Sequence, residues 1–359
     1  MMPFSSSCKV GFTWSPLFED FDYGRKHPLR KGRFFEAYDF LTEEGFLEAS
    51  QIDTLEPEPI SEELLSMIHS QEYISFVQQV SETGVGDIDI DTPGFKGIYD
   101  NARIQCGATV MAANAIMNGD FAHTISPTGG FHHAKFSEGG GFCIFNDIAA
   151  AVEVFKNSGK ERILIADFDA HHGNGTQEYF YEDSSVMQIS FHEDPEWMYP
   201  HDGYIKDIGN KDGEGYNINM PFPMDSGDDV YLYAFERLVP PLIEAFDPQV
   251  MIYLPGFDNH YLDPLTHMVL TTKPVEHIVQ YLHNTAHDLS EGNLIALGAG
   301  GYNADAYRWG LGVVFSEISG YAYTPPPQKP PFEDNKETWD IVKEHVSKVR
   351  GLVFPIHGL

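Results

Sequence analysis

Short apolar runs alternate with longer stretches of helical periodicity along most of the chain. Two helical stretches, Ile98 to Met117 and Asp228 to Phe246, are long enough to cover the face of a sheet. The apolar runs are typical of strands; they are CKVGFTW from Cys8, HTISP from His123, RILIADF from Arg162, VMQISF from Val186, QVMIYL from Gln249 and NLIALG from Asn293. Most are apolar on both faces, as central strands of a parallel sheet are. The pattern predicts a three-layer α/β fold with a central, mostly parallel sheet flanked by helices.

The alternation runs without a break up to a proline-rich segment, TPPPQKPPFEDN, at residues 324–335. No repeat of fixed period and no Ser- or Gly-rich linker divides it, so we predict a single domain over residues 1–359. The proline-rich segment is short and stiff, and we expect it to tether a last amphipathic helix at residues 337–349. Packing on the domain is the favoured role for this segment, ahead of binding a proline-recognising partner.

The charge of the chain narrows the choice of partners. Lys and Arg together number 22 against 54 Asp and Glu, which gives a formal net charge of −32. This field repels a phosphate backbone, so direct binding of nucleic acid is not expected. It suits cationic substrates such as lysine-bearing protein tails or polyamines, and it equally suits a solvated acidic surface that keeps a protein soluble in salt.

Cysteine usage and hydropathy indicate a cytoplasmic protein. The three cysteines, Cys8, Cys106 and Cys143, show no C-x-x-C spacing, so neither a disulfide framework nor a thiolate zinc site is predicted. The first residues lack a basic region followed by an apolar stretch, and no run of about 18 apolar residues occurs. We therefore predict neither export nor a membrane span. The sequence does not predict an oligomeric state.

Polar residues follow several of the predicted strands, where the active crevice of an open parallel sheet lies. Asp167, Asp169, His171 and His172 leave one strand, Asp258 and Tyr302 leave two others, and His132 and His133 follow a fourth. Asp169 and His171 are two residues apart, so their side chains point the same way in extended backbone, and Asp258 could close a third side. Such oxygen and nitrogen ligands suit Zn²⁺ or Fe²⁺. Taken singly, each aspartate could instead cap a helix and each histidine could pack in the core.

Several strings along the chain carry a family resemblance. They are D-F-D-A-H-H-G-N-G-T-Q from Asp167, G-G-F-H-H-A from Gly129, G-F-C-x-x-N-D from Gly141, G-F-D from Gly256 and G-G-Y-N from Gly300. Together the chain resembles the zinc-dependent histone deacetylase superfamily, of prokaryotic type, which includes acetoin-utilisation proteins and acetylpolyamine amidohydrolases on an arginase-like α/β fold. The resemblance extends from HPLRKGR at His27 to Tyr302 and beyond, with the motifs in the family's order.

The resemblance implies a role for each residue of the predicted crevice. It implies that the metal ligands are Asp169, His171 and Asp258, and that Asp167 is the buried carboxylate behind His132. His133 becomes the general base that takes a proton from water, with His132 as its electrostatic neighbour. Tyr302 becomes the hydroxyl that polarises the amide carbonyl. These roles agree with the needs of amide hydrolysis near neutral pH, which are an activated water, an imidazole base and an oxyanion donor.

The resemblance also implies a substrate tunnel. Asp91 would hold the substrate backbone, Gly141, Phe142 and Tyr199 would line the acyl-lysine tunnel, and Leu265 would lie at its rim. For the aromatic residues, ordinary core packing is an equal alternative. Asn174 stands where many class I relatives carry aspartate behind the second histidine, a pattern shared with class II-like members, so we expect His133 to be a less strongly polarised base.

Two structural sites for a monovalent cation, K⁺ or Na⁺, follow from the same resemblance. The first would use backbone carbonyls of Asp167, Asp169 and His171 together with Ser190 and Phe191. The second would use Phe180, Asp183, Val186 and Tyr216.

Two competing functions are weakened by the sequence. An arginase-like ureohydrolase with two metal ions needs a further aspartate two residues after Asp258, where this chain has His260. A non-catalytic acyl-lysine binder predicts the loss of a catalytic group, and none is lost. We predict a metal-dependent amidohydrolase that removes acetyl or other acyl groups from lysine in proteins or peptides. Deacetylation of acetylpolyamines is the alternative, although Leu265 offers no carboxylate to select a distal ammonium.

Overall fold

The computed structural model describes residues 9–359. Its strands are β1 (Val10–Thr13), β2 (Ile52–Leu55), β3 (Asp87–Asp89), β4 (Thr92–Pro93), β5 (His123–Ser126), β6 (Ile163–Asp167), β7 (Val186–Glu193), β8 (Asn217–Phe222), β9 (Val250–Leu254) and β10 (Leu294–Leu297). Eight of them form one sheet in the order β2-β1-β5-β10-β9-β6-β7-β8, and β3 and β4 form a small antiparallel pair. Every neighbouring pair in the large sheet is parallel. The predicted parallel sheet is confirmed.

Helices cover both faces of this sheet. They are α1 (Arg33–Glu43), α2 (Glu62–Ile68), α3 (Gln71–Thr83), α4 (Ile98–Met117), α5 (Asp147–Asn157), α6 (Asn174–Phe180), α7 (Asp228–Phe246), α8 (Lys273–Leu289), α9 (Ala304–Ser319) and α10 (Lys336–Val353). Side chains of β6 alternate between two cores: Leu164 packs on the side of α7 to α10, and Ile165 on the side of α2 to α5. This alternation is why the central strands are apolar throughout, and it confirms the three layers.

The helical stretches predicted from periodicity agree with the structure. Both ends of α4 and of α7 fall at the predicted residues. The last helix, predicted at 337–349, runs from Lys336 to Val353. Asn335 caps it by accepting hydrogen bonds from the backbone nitrogens of Glu337 and Thr338. None of the helices within residues 9–359 combines the length and apolar composition that crossing a lipid bilayer requires.

The proline-rich segment packs on the sheet-and-helix layers. Gln328 Oε1 accepts a hydrogen bond from the backbone nitrogen of Thr272, at 2.8 Å, and contacts His260 Nε2 at 3.1 Å. Asp334 accepts hydrogen bonds from the backbone nitrogens of Gly227 and Val230 at the start of α7. The segment is therefore held at both of these points, as the packing role predicts. The assignment of residues 1–359 to a single domain stays a prediction.

Two strands of the large sheet were not predicted. Both lie at its edges: β2 alternates buried Ile52 with polar neighbours, and β8 contains Asn217 and Asn219. Their polar residues hide the apolar run by which central strands are recognised. The strand predicted from Cys8 begins at Val10, and Cys8 itself lies outside the described residues.

Candidate active site

The predicted chemistry lies at one edge of the sheet, beyond four neighbouring strands. Strands β5, β10, β9 and β6 are adjacent in that order, and since all are parallel their carboxyl ends meet at the same edge. Segments leaving these ends carry His132 and His133, Tyr302, Asp258, and Asp169 with His171. The topology therefore brings together residues up to 170 positions apart in the sequence, from 132 to 302.

Asp169, His171 and Asp258 form a buried cluster of ligating groups. Nδ1 of His171 lies 2.8 Å from Oδ2 of Asp258 and 3.1 Å from Oδ1 of Asp169. The offered ligand atoms all lie within 4.8 Å of one another. Two carboxylates and one imidazole form the mixed oxygen and nitrogen donor set that a divalent transition metal accepts.

Backbone groups hold the two carboxylates in place. Asp169 accepts hydrogen bonds from the backbone nitrogens of His171, at 2.9 Å, and of Gly300, at 2.6 Å. Asp258 accepts one from the backbone nitrogen of Ala170, at 3.0 Å. A Cβ at Gly300 would lie only 2.4 Å from Oδ2 of Asp258 and 2.5 Å from Oδ2 of Asp169, so this close approach requires glycine. The cluster is preorganised, and its donors fit a small dication.

The pKa values of the three side chains in this cluster are strongly shifted from their ordinary values. Burial opposes ionisation of Asp169, but the His132 and His171 rings outweigh it and hold the pKa of that carboxyl below its usual range. Burial and the negative charge of Asp169 raise the pKa of Asp258 to about 7. Burial alone would lower the pKa of His171, yet its bonds to the two carboxylates raise it well above 6.5. Positive charge on the surrounding imidazoles therefore favours the ionised form of the two carboxylates and opposes the effect of burial.

The two adjacent histidines, His132 and His133, differ in the group that contacts their Nδ1 atoms. Nδ1 of His132 lies 2.8 Å from Oδ2 of Asp167, and Nδ1 of His133 lies 2.8 Å from Oδ1 of Asn174. Their Nε2 atoms are 3.1 Å apart. Because the amide oxygen of Asn174 only accepts, Nδ1 of His133 carries the proton and its Nε2 carries the lone pair. The structure therefore places Asp167 and Asn174 where the sequence predicts them.

The two rings differ in their protonation. Burial alone would lower the pKa of His132, but the charges of Asp167 and Asp169 outweigh it and raise this pKa to about 9. Burial, together with the neighbouring His132 and His171 rings, lowers the pKa of His133 well below 6.5. At pH 7 the first ring is a cation and the second is neutral. A pair whose pKa values are pushed apart in this way is typical of acid and base groups.

Tyr302 lines the same cavity as the tandem histidines and Asp169. Its ring is 6.4 Å from that of His171 and 5.6 Å from that of Phe142 in an edge-on contact. Burial and the charges of Asp169 and Asp258 raise its pKa well above 10, so the hydroxyl keeps its proton and can donate a hydrogen bond.

Phe142 and Tyr199 flank the approach to the cluster. Phe142 contacts His27, with ring centroids 4.4 Å apart, and the Tyr199 ring stands edge-on to His133 at 5.0 Å. Gly141 lies between them with φ of 54°, and a Cβ there would be 2.3 Å from Cδ2 of His133. Only glycine allows this loop to pass so close to the histidine.

Asp91 lies at the mouth of this approach. Its Oδ1 accepts hydrogen bonds from the backbone nitrogen of Gly141, at 3.1 Å, and from the hydroxyl of Thr92, at 2.8 Å. Its backbone oxygen contacts Nε2 of His27 at 3.0 Å. In this structure the Asp91 carboxylate therefore fastens the glycine loop, and contact with a substrate backbone stays a prediction.

Leu265 is half-buried and lies beside the Tyr302 loop. Asp263 joins the two loops, because its carboxylate accepts hydrogen bonds from the backbone nitrogens of Leu265, at 2.9 Å, and of Tyr302, at 2.7 Å. Burial raises the pKa of Asp263 to about 6. Sequence reasoning missed this residue because Asp-Pro, at 263–264, is typical of an ordinary turn.

Arg33 was also missed. Its guanidinium lies 4.0 Å from the centre of the Tyr307 ring and 5.9 Å from that of Tyr302, and its Nη2 donates to the backbone oxygen of Ala299 at 2.8 Å. With His132 and Tyr302 it lines a cavity of about 40 Å³ next to the cluster. Its only sequence signal is its place in HPLRKGR, 269 residues before Tyr302.

The residues of the first predicted cation site lie together at the ends of β6 and β7. Asp167 pairs with Ser190 across these strands, and the Ser190 hydroxyl contacts Nδ1 of His192 at 2.9 Å. Phe191 follows Ser190, and Asp169 and His171 follow Asp167. The structure thus brings these residues into one region, and cation binding there stays a prediction.

The residues of the second predicted cation site are engaged with the protein. The carbonyls of Phe180, Asp183 and Tyr216 each accept a backbone hydrogen bond, and the donor to the Asp183 carbonyl is the backbone nitrogen of Val186. The Asp183 carboxylate pairs with Lys156. A cation at this site would need the second lone pairs of these carbonyls, and the site stays a prediction.

The contacts of His260 and His172 argue against the arginase-like alternative with two metal ions. Its Nε2 contacts Gln328 in the proline-rich segment rather than the Asp169 cluster. His172 packs against His192, with ring centroids 4.8 Å apart. Neither histidine supplies ligands for a second ion beside the first.

Comparisons with known proteins place these features in a family context. Residues 27–318 match the family model described as the histone deacetylase domain. A probable deacetylase from Archaeoglobus fulgidus is 38% identical over 282 residues, which cover 78% of this chain and 77% of the relative. The acetoin utilization protein AcuC of Bacillus subtilis is 34% identical over 303 residues, covering 81% and 77%. The crystal structure of the HDA15 HD domain superposes with a TM-score of 0.86 at 27% identity, covering 98% of this chain and 97% of the other. The predicted deacetylase-like fold is confirmed.

Proposed function

The chain belongs to the histone deacetylase family, and we propose that it hydrolyses the amide between an acetyl, or other acyl, group and the lysine side chains of proteins or peptides. One observation carries this proposal. A buried Asp-His-Asp cluster, a neutral imidazole and a protonated phenol converge at the ends of four adjacent strands.

Asp169, His171 and Asp258 would hold the metal ion, which we propose to be Zn²⁺, with Fe²⁺ also suited to the donor set. A divalent ion supplies Lewis acidity, which lowers the pKa of a water molecule and polarises a carbonyl. We retain the proposed K⁺ or Na⁺ near Ser190 as a structural cation only.

His133 is the proposed general base. Its neutral ring has a lone pair on Nε2, because Nδ1 donates to Asn174. The attacking water gives a proton to this nitrogen as its oxygen bonds to the carbonyl carbon. The same proton passes to the amine nitrogen when the carbon–nitrogen bond breaks, so that the lysine amine and a carboxylic acid form, and the acid then gives up its own proton to leave as the carboxylate. His132 stays positively charged beside Asp167 throughout and stabilises the negative charge that develops.

Tyr302 is the proposed donor to the developing oxyanion. Its hydroxyl remains protonated near two carboxylates, and its ring lies 6.4 Å from that of His171, which in turn lies 6.0 Å from that of His133. A donor in this place acts more strongly on the oxyanion than on the resting carbonyl, and therefore increases kcat.

The entrance favours lysine in a polypeptide over a free polyamine. Arg25 and Lys26 line the groove beside Asp91, and they would repel the distal ammonium of a polyamine. Leu265 supplies no counter-charge at the rim. The net charge of −32 suits lysine-rich protein tails and polyamines alike, so the acetylpolyamine alternative is retained.

A side-by-side turnover assay tests the proposal. The Zn²⁺-loaded and Fe²⁺-loaded protein is given acetyl-lysine peptides and N-acetylated putrescine, cadaverine and spermidine, and acetate release is measured. We expect kcat/KM on the best peptide to exceed that on each polyamine by at least about tenfold. The reverse order would establish the polyamine alternative. No acetate from any substrate with full metal loading would refute the hydrolase proposal.

A further inference from the structure

Three histidines converge at the edge of the sheet opposite the active site. His123 is the first residue of β5, so it lies at the amino end of the strand whose carboxyl end leads to His132. His283 and His287 lie four residues apart on α8, and therefore on one face of that helix. Among residues 9–359, this trio and the Asp169 cluster are the two groups of three or more His, Cys, Asp or Glu side chains whose ligand atoms lie within 4.8 Å of one another.

All three rings present the same atom to a common centre. Nε2 of His123 lies 3.0 Å from that of His287 and 3.2 Å from that of His283, and the last two are 3.1 Å apart. Three nitrogens bound to one tetrahedral Zn²⁺ at about 2.0–2.1 Å lie about 3.3 Å from one another. The observed triangle is within a few tenths of an ångström of that arrangement.

Hydrogen bonds among the rings alone cannot account for this triangle. Each Nε2 of a neutral imidazole carries either one proton or one lone pair along the same direction. With one proton among the three atoms, two lone pairs face each other. With two protons, two N–H groups face each other. A cation at the centre is the arrangement that satisfies all three lone pairs at once.

The surroundings keep two of these rings neutral. Burial, with His283 and His287 close by, lowers the pKa of His123 to about 3. Burial, with His287, lowers the pKa of His283 to about 4. The backbone of Glu317, in the last turn of α9, acts in the opposite direction on the His283 pKa and offsets only part of this lowering. Neutral imidazole is the form that binds metal ions.

We propose that His123, His283 and His287 bind a second divalent transition-metal ion of the Zn²⁺ type, separate from the Asp169 cluster. Three imidazoles suit Zn²⁺ and leave its fourth position to water. The ion would join β5 to α8, whose ligands are 160 residues apart in the sequence, and its role is structural. The proposal does not depend on the proposed deacetylase activity.

Metal stoichiometry tests the proposal. Protein without a histidine tag is stripped with a chelator, reloaded with Zn²⁺, dialysed, and analysed for zinc per chain. We expect two ions in the parent protein and one in the double variant His283→Gln/His287→Gln, with kcat changed less than twofold. We also expect one ion in Asp169→Ala, retained at the histidine trio. The matched control is His277→Gln, a histidine on the same helix that pairs with Glu236 instead, and it should keep two ions.

Equal zinc content in the parent and in the double variant would refute the second site. Because a substitution could disturb folding, circular dichroism is recorded for each variant. Anomalous scattering at the zinc edge from crystals of the parent protein gives an independent answer. A peak about 2 Å from each of the three Nε2 atoms supports the site, and its absence at full zinc loading overturns it.

Discussion

Replacing Tyr302 by phenylalanine separates a catalytic hydroxyl from a structural aromatic ring. Within residues 9–359, the contacts that hold Tyr302 do not involve its hydroxyl: its backbone nitrogen donates to Asp263 at 2.7 Å, and its ring contacts Phe142 and lies 5.9 Å from the Arg33 guanidinium. Phenylalanine keeps all of them. The substitution should therefore leave metal content, KM and melting temperature nearly unchanged.

The expected loss lies in kcat. Removal of one oxyanion donor typically lowers kcat by about 100- to 1000-fold, or roughly 3–4 kcal/mol of transition-state stabilisation. The assay measures kcat and KM for an acetyl-lysine peptide, zinc per chain and melting temperature on the same preparation.

Tyr307→Phe is the matched control. The Tyr307 hydroxyl is buried and donates to the backbone oxygen of Pro127 at 2.8 Å, and the ring contacts the Arg33 guanidinium. Its removal should cost about 1 kcal/mol of folding free energy and lower the melting temperature, with little change in kcat. A Tyr302→Phe variant with unchanged kcat, or one that resembles Tyr307→Phe, would refute the role of the Tyr302 hydroxyl.

Three further substitutions give distinct outcomes. His171→Ala removes one of the three proposed ligands, so we expect one zinc ion fewer per chain and activity lower by orders of magnitude; parent-like zinc content would contradict the ligand assignment. Gly141→Ala places a Cβ 2.3 Å from His133 at a φ of 54°, so kcat should fall at least about tenfold while metal content stays constant, and a parent-like kcat would mean that the loop can move freely. Burial lowers the pKa of His69 to about 4, so the unfolded chain binds a proton more readily than the native state between pH 6.5 and 4; stability therefore falls by about 3 kcal/mol as pH drops through this range. Urea unfolding at pH 7 and 4.5 should show a smaller fall for His69→Gln, and equal falls would contradict this contribution.

Much of the architecture follows from local sequence. Central strands such as β6 and β9 are buried on both faces and therefore apolar throughout, which makes them recognisable without a structure. The long helices α4 and α7 show their periodicity clearly. Edge strands β2 and β8 were not predicted because they contain polar residues. Such residues are expected at a sheet edge, but the edge position is known only when the strand order is known.

The residues of the candidate site could also be predicted from the sequence, because residues that leave strand ends in short motifs keep a recognisable spacing. Asp169 and His171 are two residues apart, and Asn174 follows in the same motif. The opposite pKa shifts of His132 and His133 could not be predicted from the sequence, because burial and the Asp167 charge act through space and depend on the folded chain.

Contacts between distant parts of the chain also explain why Arg33, Asp263 and the histidine trio could not be predicted. Arg33 reaches Tyr302 from the start of α1, and Asp263 joins two loops by bonds to backbone nitrogen. His123 meets α8 across 160 residues with no motif between them. Contacts of this kind depend on the order of strands in the sheet and on the helix that each strand packs against. Neither feature can be predicted from the spacing of residues within a short motif.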